Sequence, residues 1–242
     1  MFRMPDNTIV ETIRMLPFGM LNAFLLIRGS NAILVDTGLP NSASMVKKAL
    51  QKNGLDWSNI RMIVLTHGHI DHAGSAVQLG ELTAAPLVGH AGDLPYFQGA
   101  RPVLRPTGPF GWLFHKTGAI QSPFAYFSPD IVLSTDLPDL TEMGIPARIL
   151  HTPGHTPGSI SVLIEDGRVI AGDLAASGIL LGGIWLKDKP KQPPFEESAS
   201  LAADSLRMLL AQGCTHFYLG HGGPLEADAI RKHIVRLETL GA

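Results

Sequence analysis

Cysteine is almost absent: Cys214 is the only one in 242 residues. The chain therefore has no internal disulfide, and within AQGCTHFYLG this residue reads as a small buried side chain in a reducing compartment. An excess of either charge is also lacking. Lys and Arg number 19 against 21 Asp and Glu, a net charge of −2, and the two signs are interspersed. That excludes the basic stripe needed to bind a phosphate backbone. No apolar run reaches the ~20 residues of a membrane span; the most apolar early stretch, MLNAFLLI, ends at Arg28. The first residues lack the basic and apolar regions of a secretory signal. The expectation is a cytoplasmic protein whose partner is a small molecule, with neither nucleic acid nor membrane, and with a homodimer left open.

Apolar residues make up 45% of the chain, enough for a large core without covalent staples. No internal repeat or low-complexity tract is present. Residues 8–15, 20–27 and 31–35 read as strands, the first two joined by a Pro-Phe-Gly turn. Residues 42–52 read as an amphipathic helix with Met45, Val46, Ala49 and Leu50 on one face. The β-branched run IRMIVL (60–65) reads as a buried strand, 71–79 as a short helix and 86–88 as a short strand. Strands follow at 147–150, 159–164 and 168–171, the last two forming a hairpin around Asp166-Gly167. PKQPP (190–194) reads as a linker. Helical spacing returns from Ala199 to Gly213 and over 225–240, with a strand at 216–219 between. Strands outnumber helices and both occur in each half. That favours one α+β domain over 1–242 with stacked sheets and helices outside. Residues 95–129 break the pattern: they are rich in Pro, Gly and aromatics and are expected to be irregular, with part facing substrate.

The decisive stretch is THGHIDHAG (66–74). His67, His69, Asp71 and His72 lie within six positions, directly after a buried strand. Imidazole nitrogens and carboxylate oxygens are the donors that Zn²⁺ and similar ions take. Extended backbone points His67 and His69 the same way, and a turn into helix then aims Asp71 and His72 at a neighbouring point, so the spacing implies two adjacent metals. Further candidates follow later strands: His155 in HTPGHTPG (151–158), Asp173 in AGD (171–173) and His221 in LGHGGP (219–224). Each follows a glycine, as expected where backbone approaches a crowded centre. His90, His151, His216 and His233 are left outside this set.

THGHIDHAG, TPGHTPGS, AGD and LGHGGP, in this order over residues 33–224, resemble the metallo-β-lactamase superfamily. The resemblance implies a four-layer αββα sandwich with a dinuclear site at the loops between the sheets. His67, His69 and His155 would hold the first metal and Asp71, His72 and His221 the second, with Asp173 bridging them. Asp36, in LVDTG, would support the site from behind by fixing a ligand's tautomer. The cofactors implied are two divalent ions, Zn²⁺ first, with Fe or Mn as alternatives. A hydroxide between the metals would attack a carbonyl or phosphoryl centre, with Asp71 orienting it.

An aspartate at 173 resembles the glyoxalase-II-like thioesterases, lactonases and phosphodiesterases of this superfamily rather than its β-lactamases. The 21 residues after His221 are too few for the helical glutathione-binding domain of glyoxalase II. Ala176 stands where homoserine-lactone lactonases have a catalytic tyrosine, and no basic surface or RNA-binding arm of a nuclease is visible. The function expected is therefore zinc-dependent hydrolysis of a small-molecule ester, lactone or thioester. The alternative is a persulfide-dioxygenase-like enzyme with one iron on His67, His155 and Asp173. Candidates for substrate contact are Phe110, Trp112, His115 and Trp185, from a wider aromatic set with Tyr96, Phe97, Phe114 and Tyr126.

Overall fold

The computed structural model describes residues 7–134, 138–179, 181 and 185–241; residues 1–6, part of the stretch read above for a leader, lie outside them. β1 (Ile9–Leu16), β2 (Leu21–Arg28) and β3 (Asn31–Val35) form an antiparallel meander. β4 (Ile60–Val64), β5 (Leu87–His90) and β6 (Ile131–Leu133) continue the sheet in parallel, in the order β1-β2-β3-β4-β5-β6. α1 (Ala43–Lys52), α2 (Ile70–Ala73), α3 (Ala76–Thr83), α4 (Leu94–Phe97) and α5 (Gly108–His115) lie in the connections. The second half supplies β7 (Ala147–His151), β8 (Ile160–Ile164), β9 (Arg168–Ile170), β10 (Ala176–Ser177), β11 (Pro190–Lys191), β12 (His216–Tyr218) and β13 (Leu225–Glu226). With them come α6 (Ala199–Ala211) and α7 (Ala227–Gly241). The second sheet runs β13-β12-β9-β8-β7, while β10 and β11 pair with each other.

The period of two along each strand divides the core into layers. Phe24, Leu26, Ile33, Val35 and Val64 face inward and meet Ile149, Ile160, Val162 and Ile170 of the second sheet. Their neighbours Leu25, Leu34 and Ile63 face the other way, against Val46 and Leu50 of α1 and Leu79 of α3. On the far side Val169 and Phe217 pack on Leu206 and Leu209 of α6 and Ile230, Ile234 and Leu237 of α7. Helix, sheet, sheet, helix is the four-layer αββα arrangement expected, in one domain.

Four local expectations change. The helix expected at 71–79 is two helices, since the backbone leaves helical geometry at Ser75 (φ −106°, ψ 12°) between α2 and α3. Met45 is exposed, since the turn of α1 places Ala43, Val46, Ala49 and Leu50 inward instead. Within PKQPP, Pro190–Lys191 is a short strand at an edge, where proline's missing N–H costs no ladder bond. The 95–129 segment is partly helical, holding most of α4, all of α5 and a 3-10 turn over Ala119–Gln121.

Candidate metal centre

Each of the seven residues read from sequence follows the C-terminal end of a strand. His67 and His69 follow β4, and Asp71 and His72 sit on α2 immediately after them. His155 follows β7, Asp173 follows β9 and His221 follows β12. The two sheets bring these ends to one edge. There, backbone Ile160 N donates to Thr66 O at 2.9 Å, joining the sheets at the site.

All seven side chains converge. One donor atom each from His67, His69 and His155 forms a group within 4.8 Å, and Asp71, His72 and His221 form another. In the first, His69 Nδ1 lies 3.1 Å from both His67 Nε2 and His155 Nε2. In the second, Asp71 Oδ2 is 3.4 Å from His221 Nε2 and 3.9 Å from His72 Nε2. Asp173 spans the two: Oδ2 is 3.2 Å from His221 Nε2 and 3.8 Å from His155 Nε2, and Oδ1 is 3.5 Å from His72 Nε2. The carboxylate thus stands where the bridging role was expected.

The outer nitrogens define the tautomers of three histidines. His72 Nδ1 donates to Asp36 Oδ2 at 2.8 Å, and His221 Nδ1 donates to the Met20 carbonyl at 2.5 Å. Thr66 Oγ1 gives its only proton to Asp36, so its 3.0 Å contact with His67 must be a bond donated by Nδ1. In each case the acceptor has no proton to return. Once neutral, the imidazoles of His67, His72 and His221 would therefore present Nε2 lone pairs to the centre, the arrangement a metal-binding imidazole needs. His72 Nε2, Asp71 Oδ1 and Asp173 Oδ1 are buried without a hydrogen-bond partner, a costly state unless something else satisfies them.

Electrostatics agree. Burial, then repulsion from neighbouring imidazoles, pushes His67 well below its usual range; burial and His155 bring His69 to about 3. Burial opposes ionisation of Asp71 and Asp173, but the facing histidines outweigh it, holding Asp71 at about 2 and Asp173 lower. Burial also opposes charge on His72, yet Asp173, Asp36 and Asp71 raise it to about 9, and His221 rises for the same reason. Two ionised carboxylates in a buried cluster draw in positive charge, and in the bare protein only protons can supply it.

Asp36 is fully buried and takes up φ 63°, rare for a non-glycine residue. Besides His72 it accepts from Thr66 N at 2.8 Å. The glycine expectation holds at one of three positions. A Cβ on Gly220 would lie 2.3 Å from Asp173 Oδ1, whereas Gly154 packs on α6 and Gly172 on Thr66.

Two supporting residues were not read from the sequence. Asp93 is fully buried beyond β5 and accepts from Gly68 N at 2.8 Å, Gly158 N at 2.7 Å and Thr156 Oγ1 at 2.8 Å. It clasps the loop of His67 and His69 to the loop of His155. Burial lifts its pKa to about 6 against those three bonds. Asn22, the lone polar residue in LNAFLLI, donates from Nδ2 to Leu219 O at 3.0 Å, while its N–H reaches Gly220 O at 2.8 Å, fixing the His221 loop. A polar residue on a strand buried on both faces was the available signal for Asn22; Asp93, an acid after a short strand, had none.

A cavity of about 200 Å³ opens on the centre. Of the proposed substrate contacts, Phe110, Trp112, His115 and Trp185 do not line it; Phe114, Ile120 and Phe195 do. Phe110 stacks behind Phe114 and His115 meets the edge of Phe195, while Trp112 and Trp185 are 57% and 69% exposed. The turn of α5 sends Phe114 inward and its neighbours out. Tyr96 stands beside His69 with its ring 6.5 Å away, and Phe97 is in the core. His90 and His151 stack on each other at 3.9 Å, apart from the seven.

Comparison with known proteins accords with this geometry. A sequence profile described as the metallo-beta-lactamase superfamily matches residues 16–221. A Bacillus subtilis protein named "Probable metallo-hydrolase YflN" is 30% identical over 219 residues, 85% of this chain and 80% of that one. A hydroxyacylglutathione hydrolase of Anaeromyxobacter dehalogenans is 31% identical over 154 residues, 62% of this chain but only 44% of that enzyme. Among solved structures, an archaeal metallo-beta-lactamase superfamily protein from Sulfolobus tokodaii superposes with a TM-score of 0.64 at 19% identity, covering 94% of this chain and 85% of that one. A subclass B3 metallo-beta-lactamase of Bradyrhizobium japonicum gives 0.62 at 20%, covering 90% and 85%. At such identities these two speak to the fold alone.

Proposed function

The chain belongs to the metallo-beta-lactamase superfamily, and we propose that it is a two-metal hydrolase cleaving a small-molecule ester, lactone or thioester. The observation that carries this reading is the set of three imidazoles whose outer nitrogens are committed to oxygen acceptors, leaving lone pairs aimed at a buried centre with two carboxylates. The donor set fits divalent metal. Imidazole and carboxylate donors without a thiolate suit Zn²⁺, and suit Fe or Mn as well. His67, His69 and His155 would hold one ion, Asp71, His72 and His221 the other, and Asp173 would reach both. When bound, two such ions would bring the pKa of a shared water toward neutrality and polarise a substrate carbonyl.

The chain's own groups supply the rest. Asp36, Thr66 and Met20 O keep three imidazoles in the binding tautomer. Asp71 lines the cavity, and its carboxylate, whose Oδ1 has no hydrogen-bond partner, would orient the attacking water. From there it can pass a proton to the departing oxygen or sulfur. The thioester option draws support from the hydroxyacylglutathione hydrolase relative. A lactonase of the tyrosine-dependent kind does not fit, because Ala176 is buried in β10 with no hydroxyl to offer.

Metal analysis of the purified protein, followed by a panel of thioesters, aryl esters, lactones and phosphodiesters, tests the proposal. About two zinc per chain with ester or thioester turnover is expected. One iron per chain, with oxygen consumption on a persulfide and no hydrolysis, would replace it with the oxygenase reading.

A further inference from the structure

The cavity beside the centre is almost wholly apolar. Its floor holds His69, Asp71, His155, Asp173 and His221; its walls are built from Leu39, Ile70, Phe114, Ile120, Leu181 and Phe195. No Lys or Arg occurs among the described residues lining it. A charged substituent placed here would lose its hydration with nothing to replace it. At about 200 Å³ the space holds roughly seven water-sized groups of ~30 Å³ each.

The walls are built, not loosely folded over the opening. Phe114 stacks on Phe195 at 5.7 Å, and Ile70, Ile120 and Phe195 form a small core of their own with Leu104, Phe114 and Phe124. The 193–196 segment is tied to the chain around α5: Thr107 N donates to Pro194 O at 2.8 Å and Glu196 N to Arg105 O at 3.1 Å. Gly111 lies so close to Pro194 that a Cβ would stand 2.2 Å from its carbonyl. A cationic side chain does occur nearby, but on the other side of Ile120. There a niche of about 20 Å³ with Arg101, Gln121 and Ser122 shares His69, Ile70 and Ile120 with the cavity.

We propose that the cavity receives the acyl part of the substrate, an uncharged apolar chain of about six to eight carbons, and that Phe114, Ile120 and Phe195 set its length. This rests on the hydrolase reading above and narrows it: the carbonyl lies over the centre, the chain runs between the aromatic walls, and the leaving group projects outward. Substrates with a carboxylate on the acyl side are disfavoured.

The test is a series of 4-nitrophenyl esters and small-thiol thioesters with two to twelve acyl carbons, alongside the same chains ending in a carboxylate, on the metal-loaded protein. Expected is a kcat/KM that climbs up to about fourfold per methylene, peaks at six to eight carbons and falls beyond. A terminal carboxylate should cost at least about tenfold. Ile120→Trp should shift the optimum to shorter chains and Phe114→Ala to longer ones, opposite movements that misfolding does not produce. Binding of 1-octanol, which has no bond to hydrolyse, followed by calorimetry, gives a readout apart from turnover and should weaken in Ile120→Trp. Turnover independent of chain length, or a preference for the carboxylate series that Arg101→Ala abolishes, overturns the acyl-chain assignment. Absence of all turnover while octanol binds and Ile120→Trp blocks it would instead overturn the hydrolase reading and leave the apolar-ligand assignment standing.

Discussion

Asp36 Oδ2 lies 2.8 Å from His72 Nδ1, with both side chains fully buried. The carboxylate accepts three bonds, from the His72 ring, Thr66 N and Thr66 Oγ1, so it holds the tautomer of one centre histidine directly and of His67 through the threonine. Asp36→Asn keeps the shape but can present N–H₂ to His72 Nδ1, which drives the ring proton to Nε2 and turns a lone pair away from the centre. The expected result is a 10- to 100-fold loss of activity or of affinity for one ion, with metal content falling from about two toward one per chain and little change in circular dichroism. Unchanged metal content and activity would remove Asp36 from the supporting role.

Gly220 provides a test that replaces none of the seven side chains. A methyl group there would stand 2.3 Å from Asp173 Oδ1 and 2.5 Å from His72 Cε1, so Gly220→Ala must displace the Asp173 carboxylate, the His72 ring or the loop itself. A shift of ~1 Å at a reacting centre can cost about 100-fold in rate, and a loss of that order in kcat/KM is expected. Gly80→Ala is the control: on α3 its new methyl meets nothing closer than 3.6 Å. It should leave activity unchanged and raise the melting temperature slightly, as alanine does in a helix.

Asp93 touches none of the seven residues through its side chain, yet it joins the two loops that carry His67, His69 and His155. Asp93→Ala would leave Gly68 N and Gly158 N buried without their acceptor, while Thr156 Oγ1 keeps only Ser159 Oγ. Stability should fall by at least about 3 kcal/mol, read from urea unfolding of the chelated protein, and affinity for the ion on the His67, His69 and His155 group should fall more than affinity for the other. Asp93→Asn, which keeps one acceptor oxygen, should fall between. Equal weakening of both ions would mean that Asp93 acts on global stability only.

What could be read without coordinates divides along physical lines. Short apolar runs such as 31–35 and 60–64 were legible because a strand buried on both faces reads as a near-continuous apolar stretch. Ligands clustered in sequence, as in THGHIDHAG, were legible because chemistry and spacing coincide. Residues that act across the chain were not. Asp93 reaches Gly158 over 65 positions and His221 Nδ1 reaches Met20 O over 201, and neither contact leaves a local pattern. Asp36 became legible only through a family resemblance. The aromatic candidates failed for a related reason: Phe110, Trp112 and Phe114 share one short helix, and only the packing of α5 against Pro194 decides that Phe114 faces inward.

Glu196 gives a prediction about pH. It is 5% exposed, one carboxylate oxygen has no partner, and the other accepts from Gln192 Nε2. Burial raises its pKa from 4.5 to about 7, with the Gln192 bond opposing. The folded protein therefore holds this proton over a range in which the unfolded chain has released it. A raised folded pKa contributes stability that is fully present below about 4.5 and is lost as pH climbs through about 7. Two to three pH units of separation correspond to roughly 3 kcal/mol. The neutral substitution Glu196→Gln cannot ionise and so removes the dependence. Measured by urea unfolding, the variant and the parent should be about equally stable near pH 4.5, and the variant should lead by roughly 2–3 kcal/mol at pH 8. Ionisation of the metal-centre residues is common to both proteins and cancels in the difference. A difference that stays constant from pH 4.5 to pH 8 would show that Glu196 keeps an ordinary pKa in the folded state.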